Sequence, residues 1–255
     1  MLKGNPTKSA SNLIRGAQLL LLPQFRPYIL VPLLINLVLF IIITGYLIVN
    51  FNDAINGMLG FLPGWDWVKW LVNALLWILW PLFATLVMMI YGYTFNLMTN
   101  LIAAPFYGLL AEKIENHLIA AEIDSEPLKK MVPRTLIREL LKLWYFISRA
   151  FFLALLSLTL IWIPLLNIVV PFLWLLWGAW SMAIQYSDYP ADNHKTPFKI
   201  LRKWLAGEKL TSYSFGGLVM LASMIPIVNI FAMPVAVAGA TVNWAERGKQ
   251  ECQQT

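Results

Sequence analysis

Charge is what this chain has least of. Only 13% of its residues are Asp, Glu, Lys or Arg and 59% are apolar, whereas an ordinary globular domain is about a quarter charged. That excludes a water-soluble domain and leaves an integral membrane protein, for which 255 residues suit a single membrane domain. The one cysteine, Cys252 in the polar tail, has no partner for an intramolecular disulfide. The two histidines, His117 and His194, lie far apart without a second ligand at metal spacing, which argues against a metal site. No GxxxxGK[ST] loop occurs, so ATP hydrolysis is excluded as a driving force, and no cofactor is expected. The apolar runs hold no histidine, Ser-His pair or paired carboxylates, which argues against an intramembrane enzyme. A secretory signal is missing too. Residues 1–17 carry Lys3, Lys8 and Arg15 with no long apolar core and no cleavage site before Pro23.

What is present is organised around Pro23-Gln24-Phe25-Arg26-Pro27 and the uncharged residues 28–49 that follow. Those 22 residues make roughly 33 Å of helix, enough to cross a hydrocarbon core of ~30 Å. Pro27 sits where a helix tolerates proline, in the first turn. The helix dipole and Arg26 together place positive charge at this boundary, where an anion can pause. Snorkelling of Arg26 to lipid headgroups explains the residue equally well. Upstream, residues 7–22 set Leu13, Ile14, Ala17, Leu20 and Leu21 at helical spacing against Lys8, Asn12, Arg15 and Gln18. The expectation is an amphipathic helix, lying on the membrane surface or packed against the protein's own polar part.

A loop is expected from Asn50 to Lys69, with Trp65 and Trp67 at headgroup level. Residues 70–111 are then uncharged, twice the length a bilayer needs, with kink sites at Pro81 and Pro105. Thr85, Gly92, Asn96, Asn100, Ala103 and Tyr107 recur on one face of this run, lining a pore or gluing helices together. The polar block at 112–143 reads mostly as a solvated face and loop forming cytoplasmic helices.

Two related stretches follow, Ile163-Pro164-Leu165-Leu166-Asn167-Ile168 and Ile225-Pro226-Ile227-Val228-Asn229-Ile230, each ending in a second proline. Their apolar arms span about 22 and 21 Å in the first case and about 16 Å each in the second. Such lengths favour two hairpins, 144–187 and 210–245, that enter and leave the membrane on one side. Asn167 and Asn229 would satisfy the turn backbone or contact a ligand. The fold class is therefore an all-α integral membrane protein: two long transmembrane helices (27–49 and 70–111), two re-entrant, hemi-penetrating hairpins and an N-terminal amphipathic helix. Eighteen of the 19 Lys and Arg residues fall before Tyr28 or after Ala111, which puts both termini in the cytoplasm.

Taken together, several motifs resemble the CysZ family of bacterial inner-membrane sulfate permeases along essentially the whole chain. They are Pro23-Gln24-Phe25-Arg26, Pro32-Leu33-Leu34-Ile35-Asn36, Ile102-Ala103-Ala104-Pro105-Phe106-Tyr107-Gly108-Leu109-Leu110-Ala111-Glu112, Ala183-Ile184-Gln185-Tyr186-Ser187-Asp188-Tyr189-Pro190 with Asp192-Asn193-His194-Lys195, and Met233-Pro234-Val235-Ala236-Val237-Ala238-Gly239-Ala240-Thr241. The resemblance implies sulfate uptake for cysteine synthesis and a homodimer or higher homo-oligomer. It also implies re-entrant hairpins and a sulfate site at a Gly-hydrophobic-Arg-Arg stretch. Here that stretch corresponds to Gln24, Phe25, Arg26 and Pro27, so one Arg matches while the Gly and the second Arg do not.

The expected function is an uncoupled sulfate channel or gradient-driven permease, with sulfite as a related substrate and no nucleic-acid partner. Gln24, Phe25 and Arg26 form the candidate sulfate site; Asn36, Asn96, Asn100, Glu112 and Asn229 are the candidate pore-lining residues. Proton-coupled symport, with Glu112 as the nearest carboxylate, and a non-transporting scaffold that holds anionic lipid are the alternatives.

Overall fold

A computed structural model describes residues 3–60, 66–90, 96–119, 126–163, 165–248, 250 and 252. Among these residues it is helical throughout, with no strand. The order is α1 (Pro6–Leu20), a 3-10 turn (Pro23–Phe25), α2 (Pro27–Gly60), α3 (Asp66–Ile90), α4 (Asn96–Ile119) and α5 (Leu128–Ile161). A second 3-10 turn (Leu166–Ile168) leads into α6 (Val169–Asn193), α7 (Phe198–Gly207), α8 (Lys209–Ser223) and α9 (Pro226–Asn243), closed by a π turn (Trp244–Gly248). The chain divides into two compact units, Met1–Ile29 with Ala104–Thr255, and Leu30–Ala103.

The second unit is built of α2, α3 and the start of α4. Its helices present apolar side chains outwards, with Leu34, Leu37, Ile41, Tyr46, Trp77, Ile78 and Leu82 all exposed. A helix apolar on its outer faces belongs in lipid. Polar residues here satisfy themselves locally: Thr44 donates to the Phe40 carbonyl at 2.7 Å, Asn50 to Tyr46 at 2.7 Å and Thr85 to Pro81 at 2.8 Å. The helix α2 runs past residue 49 to Gly60, where a loop from Asn50 was expected. The run 70–111 is divided between α3 and α4; residues 91–95, with Gly92 of the polar stripe, lie outside the described residues, as do Trp65 and Pro164.

In the first unit the helices meet through small residues. Gly16 of α1 faces Gly239 of α9 so closely that an added Cβ would stand 2.5 Å from the Gly239 nitrogen. Gly216 of α8 crosses α6 at Ala179 and Ala183, where a Cβ would strike the Ala179 carbonyl group and come 2.9 Å from the Ala183 nitrogen. This is the close backbone approach typical of helices in lipid. The buried side of α1 is Ser9, Asn12, Gly16 and Leu20, against α8 and α9, so this helix packs on the protein while Ile14 and Leu21 stay exposed. Beneath lie Ile184, Ala191, Leu201, Leu205 and Trp244, joined by Cys252, which is buried here and not in a solvated tail.

Among the described residues three segments are long and apolar enough to cross a membrane: Pro23–Asn50, Leu128–Ile161 and Leu166–Asn193. The last two differ from the expected short arms, because α5 and α6 are continuous helices of 34 and 25 residues, about 51 and 37 Å. The reversal between them is tight, with Leu165 at φ 71° and Trp174 donating to the Ser157 hydroxyl at 3.0 Å across the pair. The second reversal is shorter than its proline spacing suggested. Pro226 opens α9, Asn229 donates its N–H to the Ile225 carbonyl at 2.8 Å, and Pro234 lies inside the helix.

The crossings yield a testable contrast. Gly216→Ala must push α6 and α8 apart and is expected to cost about 1–3 kcal/mol. Gly57→Ala, in α2 with nothing near its added methyl, is expected to be neutral or to stabilise by up to about 1 kcal/mol. Thermal melting of the detergent-solubilised variants measures both.

Candidate functional site

The candidate sulfate residues sit in the 3-10 turn that joins α1 to α2. Leu22 is extended, Pro23 opens the turn and Pro27 starts α2, so the two prolines confine Gln24, Phe25 and Arg26 to one compact corner. Phe25 is buried, edge-on to the His117 ring of α4 with centroids 5.9 Å apart. It anchors the corner and offers a ligand only its backbone. Gln24 is exposed, its amide nitrogen 3.5 Å from His117 Nδ1. Arg26 is exposed and donates one Nη2 bond of 3.1 Å to the Leu21 carbonyl. A guanidinium carries five donors, so Arg26 keeps donors for an anion at the start of α2.

The candidate pore residues are dispersed. Asn36 lies in α2 and Asn96 and Asn100 in α4, but their side chains fall outside the described residues. Asn229 is half-buried in the first turn of α9. Glu112 is buried in α4 and lines an open pocket of about 230 Å³ with Glu126, Met131, Arg134, Asn193, His194 and Lys195. Burial pushes its carboxyl above the ordinary value of 4.5, opposed by the charge of Lys113.

Beside this pocket lies a buried network of charged side chains. Among the described residues of the block at 112–143, where a mostly solvated face was expected, Glu112, Glu115, Glu139 and Lys142 are buried. Arg134, Arg138 and Lys142 recur every four residues on α5 and face Asp188 and Asp192, four apart on α6. Arg138 holds Asp188 side-on, Nε 3.0 Å from both oxygens and Nη2 2.6 Å from Oδ1. Lys142, 1% exposed, reaches Glu139 at 2.6 Å and Asp188 at 3.2 Å, with its ammonium 4.6 Å above the Tyr189 ring. Arg134 pairs with Glu126 at 2.9 Å and Asp192 at 2.5 Å, and the Thr135 hydroxyl donates to Asp192 at 3.2 Å. Gln185 donates to Glu139 at 3.2 Å.

The end of α6 also clasps α4. Asn193 donates to the Gly108 carbonyl at 2.8 Å, and His194 Nε2 lies 2.8 and 2.9 Å from the two oxygens of Glu115. The readable signal is a four-residue repeat of cations, Arg134, Arg138 and Lys142, matched by a four-residue repeat of aspartates, Asp188 and Asp192, because like charges on one helix face repel unless a second helix neutralises them.

Two outcomes test these groups. Asp188→Asn takes from Arg138 and Lys142 the buried carboxylate they share, leaving three cations to Asp192 and Glu139, and is expected to lower stability by about 3–5 kcal/mol, whereas replacing Arg138, Lys142, Glu139 and Asp188 together with apolar residues recovers most of it; chemical denaturation in detergent compares them. For Glu112 the folded chain favours the neutral acid. Its contribution to stability is therefore complete below 4.5 and is lost as pH rises through the raised value. Glu112→Gln should melt higher than the parent at neutral pH and flatten the fall in stability as pH rises above 4.5.

Comparison with known proteins gives this arrangement its relatives. The family described as Sulfate transporter CysZ/Etoposide-induced protein 2.4 matches residues 12–234. A protein of Pseudomonas fluorescens named Sulfate transporter CysZ is 45% identical, over 96% of both chains. Proteins of the same name from Pseudomonas syringae pv. tomato and Salmonella paratyphi A are 43% and 40% identical, over 91% of this chain and 90% and 89% of their own. Matched from near its start to within α9 and related to these proteins over nearly its full length, the chain belongs to the family of Sulfate transporter CysZ and Etoposide-induced protein 2.4.

Proposed function

We propose that this protein carries sulfate into the bacterial cytoplasm across the inner membrane, for cysteine biosynthesis, as an uncoupled channel or gradient-driven permease and not as an enzyme. The observation that carries this reading is the 45% identity to a named sulfate transporter over 96% of both chains. Arg26 captures the dianion: it is exposed, holds a single bond to a carbonyl, and stands one residue before Pro27 at the positive end of α2. Gln24 adds a neutral donor and Phe25 a rigid corner. One guanidinium binds a dianion more weakly than two would, which suits permeation, where an ion must leave as readily as it enters.

Asn36, Asn96, Asn100 and Asn229 then offer neutral amides along the route. Sulfite, a pyramidal oxyanion with three oxygens in place of four, presents the same kind of negatively charged acceptors to these groups and is the second substrate of this reading. Proton-coupled symport has one observation in its favour, the buried Glu112, whose neutral form is favoured by burial and which lines the same pocket as Arg134 and His194.

The re-entrant arrangement of the α5–α6 and α8–α9 pairs belongs to the same proposal. It is supported by the helix lengths of α8 and α9, 15 and 18 residues or about 22 and 27 Å, short of the ~30 Å core. The charged side chains of α5 up to Arg149 support it too, because they leave a short apolar end. Both termini are then cytoplasmic, and a homodimer or larger homo-oligomer encloses the path.

The test is radiolabelled sulfate entry into proteoliposomes. The parent chain should admit sulfate well above bare lipid, with equal rates in the presence and absence of a pH gradient. Arg26→Ala should weaken sulfate affinity by about tenfold or more, the scale of a lost charge-assisted bond, with melting unchanged. Parent vesicles no more permeable than lipid would overturn transport; a rate that follows the pH gradient would favour symport.

A further inference from the structure

We propose that Arg149 and Arg202 form a binding site for the phosphate headgroup of an anionic phospholipid, built on the ring of Tyr145. Arg202 of α7 lies 4.6 Å from the Tyr145 centroid and 4.9 Å from that of Phe198, so its guanidinium is held between aromatic groups on two elements. Arg149, one turn beyond Tyr145 on α5, lies 5.9 Å from the same ring. Neither makes an ion pair or hydrogen bond among the described residues, and the Arg202 Nε is buried without an acceptor. These two guanidinia differ from Arg134 and Arg138, whose donors are taken by carboxylates. Two planar, unused donor groups on one rigid support match the oxygens of a phosphate.

The surroundings identify the source of that phosphate as lipid. Tyr145 also touches Phe146 and Trp177, and Trp180 donates to its hydroxyl at 3.4 Å while stacking on Tyr213. Trp144 beside it is 72% exposed. Amphipathic rings gathered at one level mark a membrane–water boundary. On one side of this level α7 displays the exposed Lys199 and Lys203, adding positive charge. On the other, Phe151, Phe152, Leu155, Phe172 and Leu176 are exposed and apolar, a surface for acyl chains. The arrangement also sets a depth: beyond Arg149, α5 continues only to Ile161, about 18 Å of helix and little more than half of the hydrocarbon core.

Native mass spectrometry of the full-length chain in neutral detergent tests the site, with dioleoyl phosphatidylglycerol titrated against dioleoyl phosphatidylcholine. The parent should bind phosphatidylglycerol preferentially. Arg149→Gln and Arg202→Gln should each weaken it about fivefold, the effect of one basic residue at an anionic surface, leaving phosphatidylcholine unchanged. Arg149 is exposed, so R149Q keeps the fold even where R202Q loosens the ring cluster, and its result alone decides. Equal binding of both lipids by the parent, phosphatidylglycerol affinity unchanged in R149Q, or inorganic phosphate alone giving the same arginine-dependent binding would each overturn the proposal.

Discussion

A lysine ammonium cannot leave water without a replacement for its hydration shell, and Lys142 has been given one. Glu139 and Asp188 supply oxygens, and the Tyr189 ring supplies a face of negative potential. The same Asp188 binds Arg138, and Asp192 binds Arg134, so three cations of α5 are committed to two carboxylates on one face of α6. Because an unpaired charge there is so costly, the two helices have little freedom to slide. A shift of one turn would carry at least one of the three cations beyond the two carboxylates. This register sets where the end of α6 lies, and through Asn193 and His194 where α4 is clasped at Gly108 and Glu115.

The position of the proposed capture turn follows from that clasp. His117 lies half a turn beyond Glu115 on α4, and it is the ring against which Phe25 is wedged. From the other side, α1 is held on α9 by the glycine contact and by the Ser9 hydroxyl donating to the Thr211 carbonyl of α8 at 2.8 Å. The turn is thus fixed at both ends by contacts that involve neither Gln24 nor the guanidinium of Arg26. Rigid support with free donors is the combination an anion site needs.

Much of the element pattern was legible because proline and charge act locally. Pro23 ends the first helix region and Pro27 begins α2 where the ring geometry requires it. The absence of charge in 28–49 marked a lipid-facing helix, and the relatives bear out the family read from the chain's motifs. Less legible were the points at which a side chain's partner is distant in sequence. Lys142 and Glu139 look like a solvated pair three residues apart until Asp188 is brought over them. Cys252 looks like tail until Trp244 and Leu205 close around it. That α2 continues beyond Asn50 to Gly60 was not legible, because Asn50 and the residues after it read as turn formers while its amide is satisfied by the Tyr46 carbonyl within the helix.

The sequence alone determined the class of this protein, its helical elements and its kinship, since apolar length, proline position and motif order are properties of neighbouring residues along the chain. Tertiary structure decided which charges are buried and which remain available. Arg134, Arg138 and Arg149 of α5 and Arg202 of α7 are the same residue type, yet two are neutralised by aspartates of α6 while two lie against tyrosine with donors unused. Only the packing of α5 on α6 and α7 separates them, because the energy of a charge depends on what surrounds it and not on its neighbours in the chain.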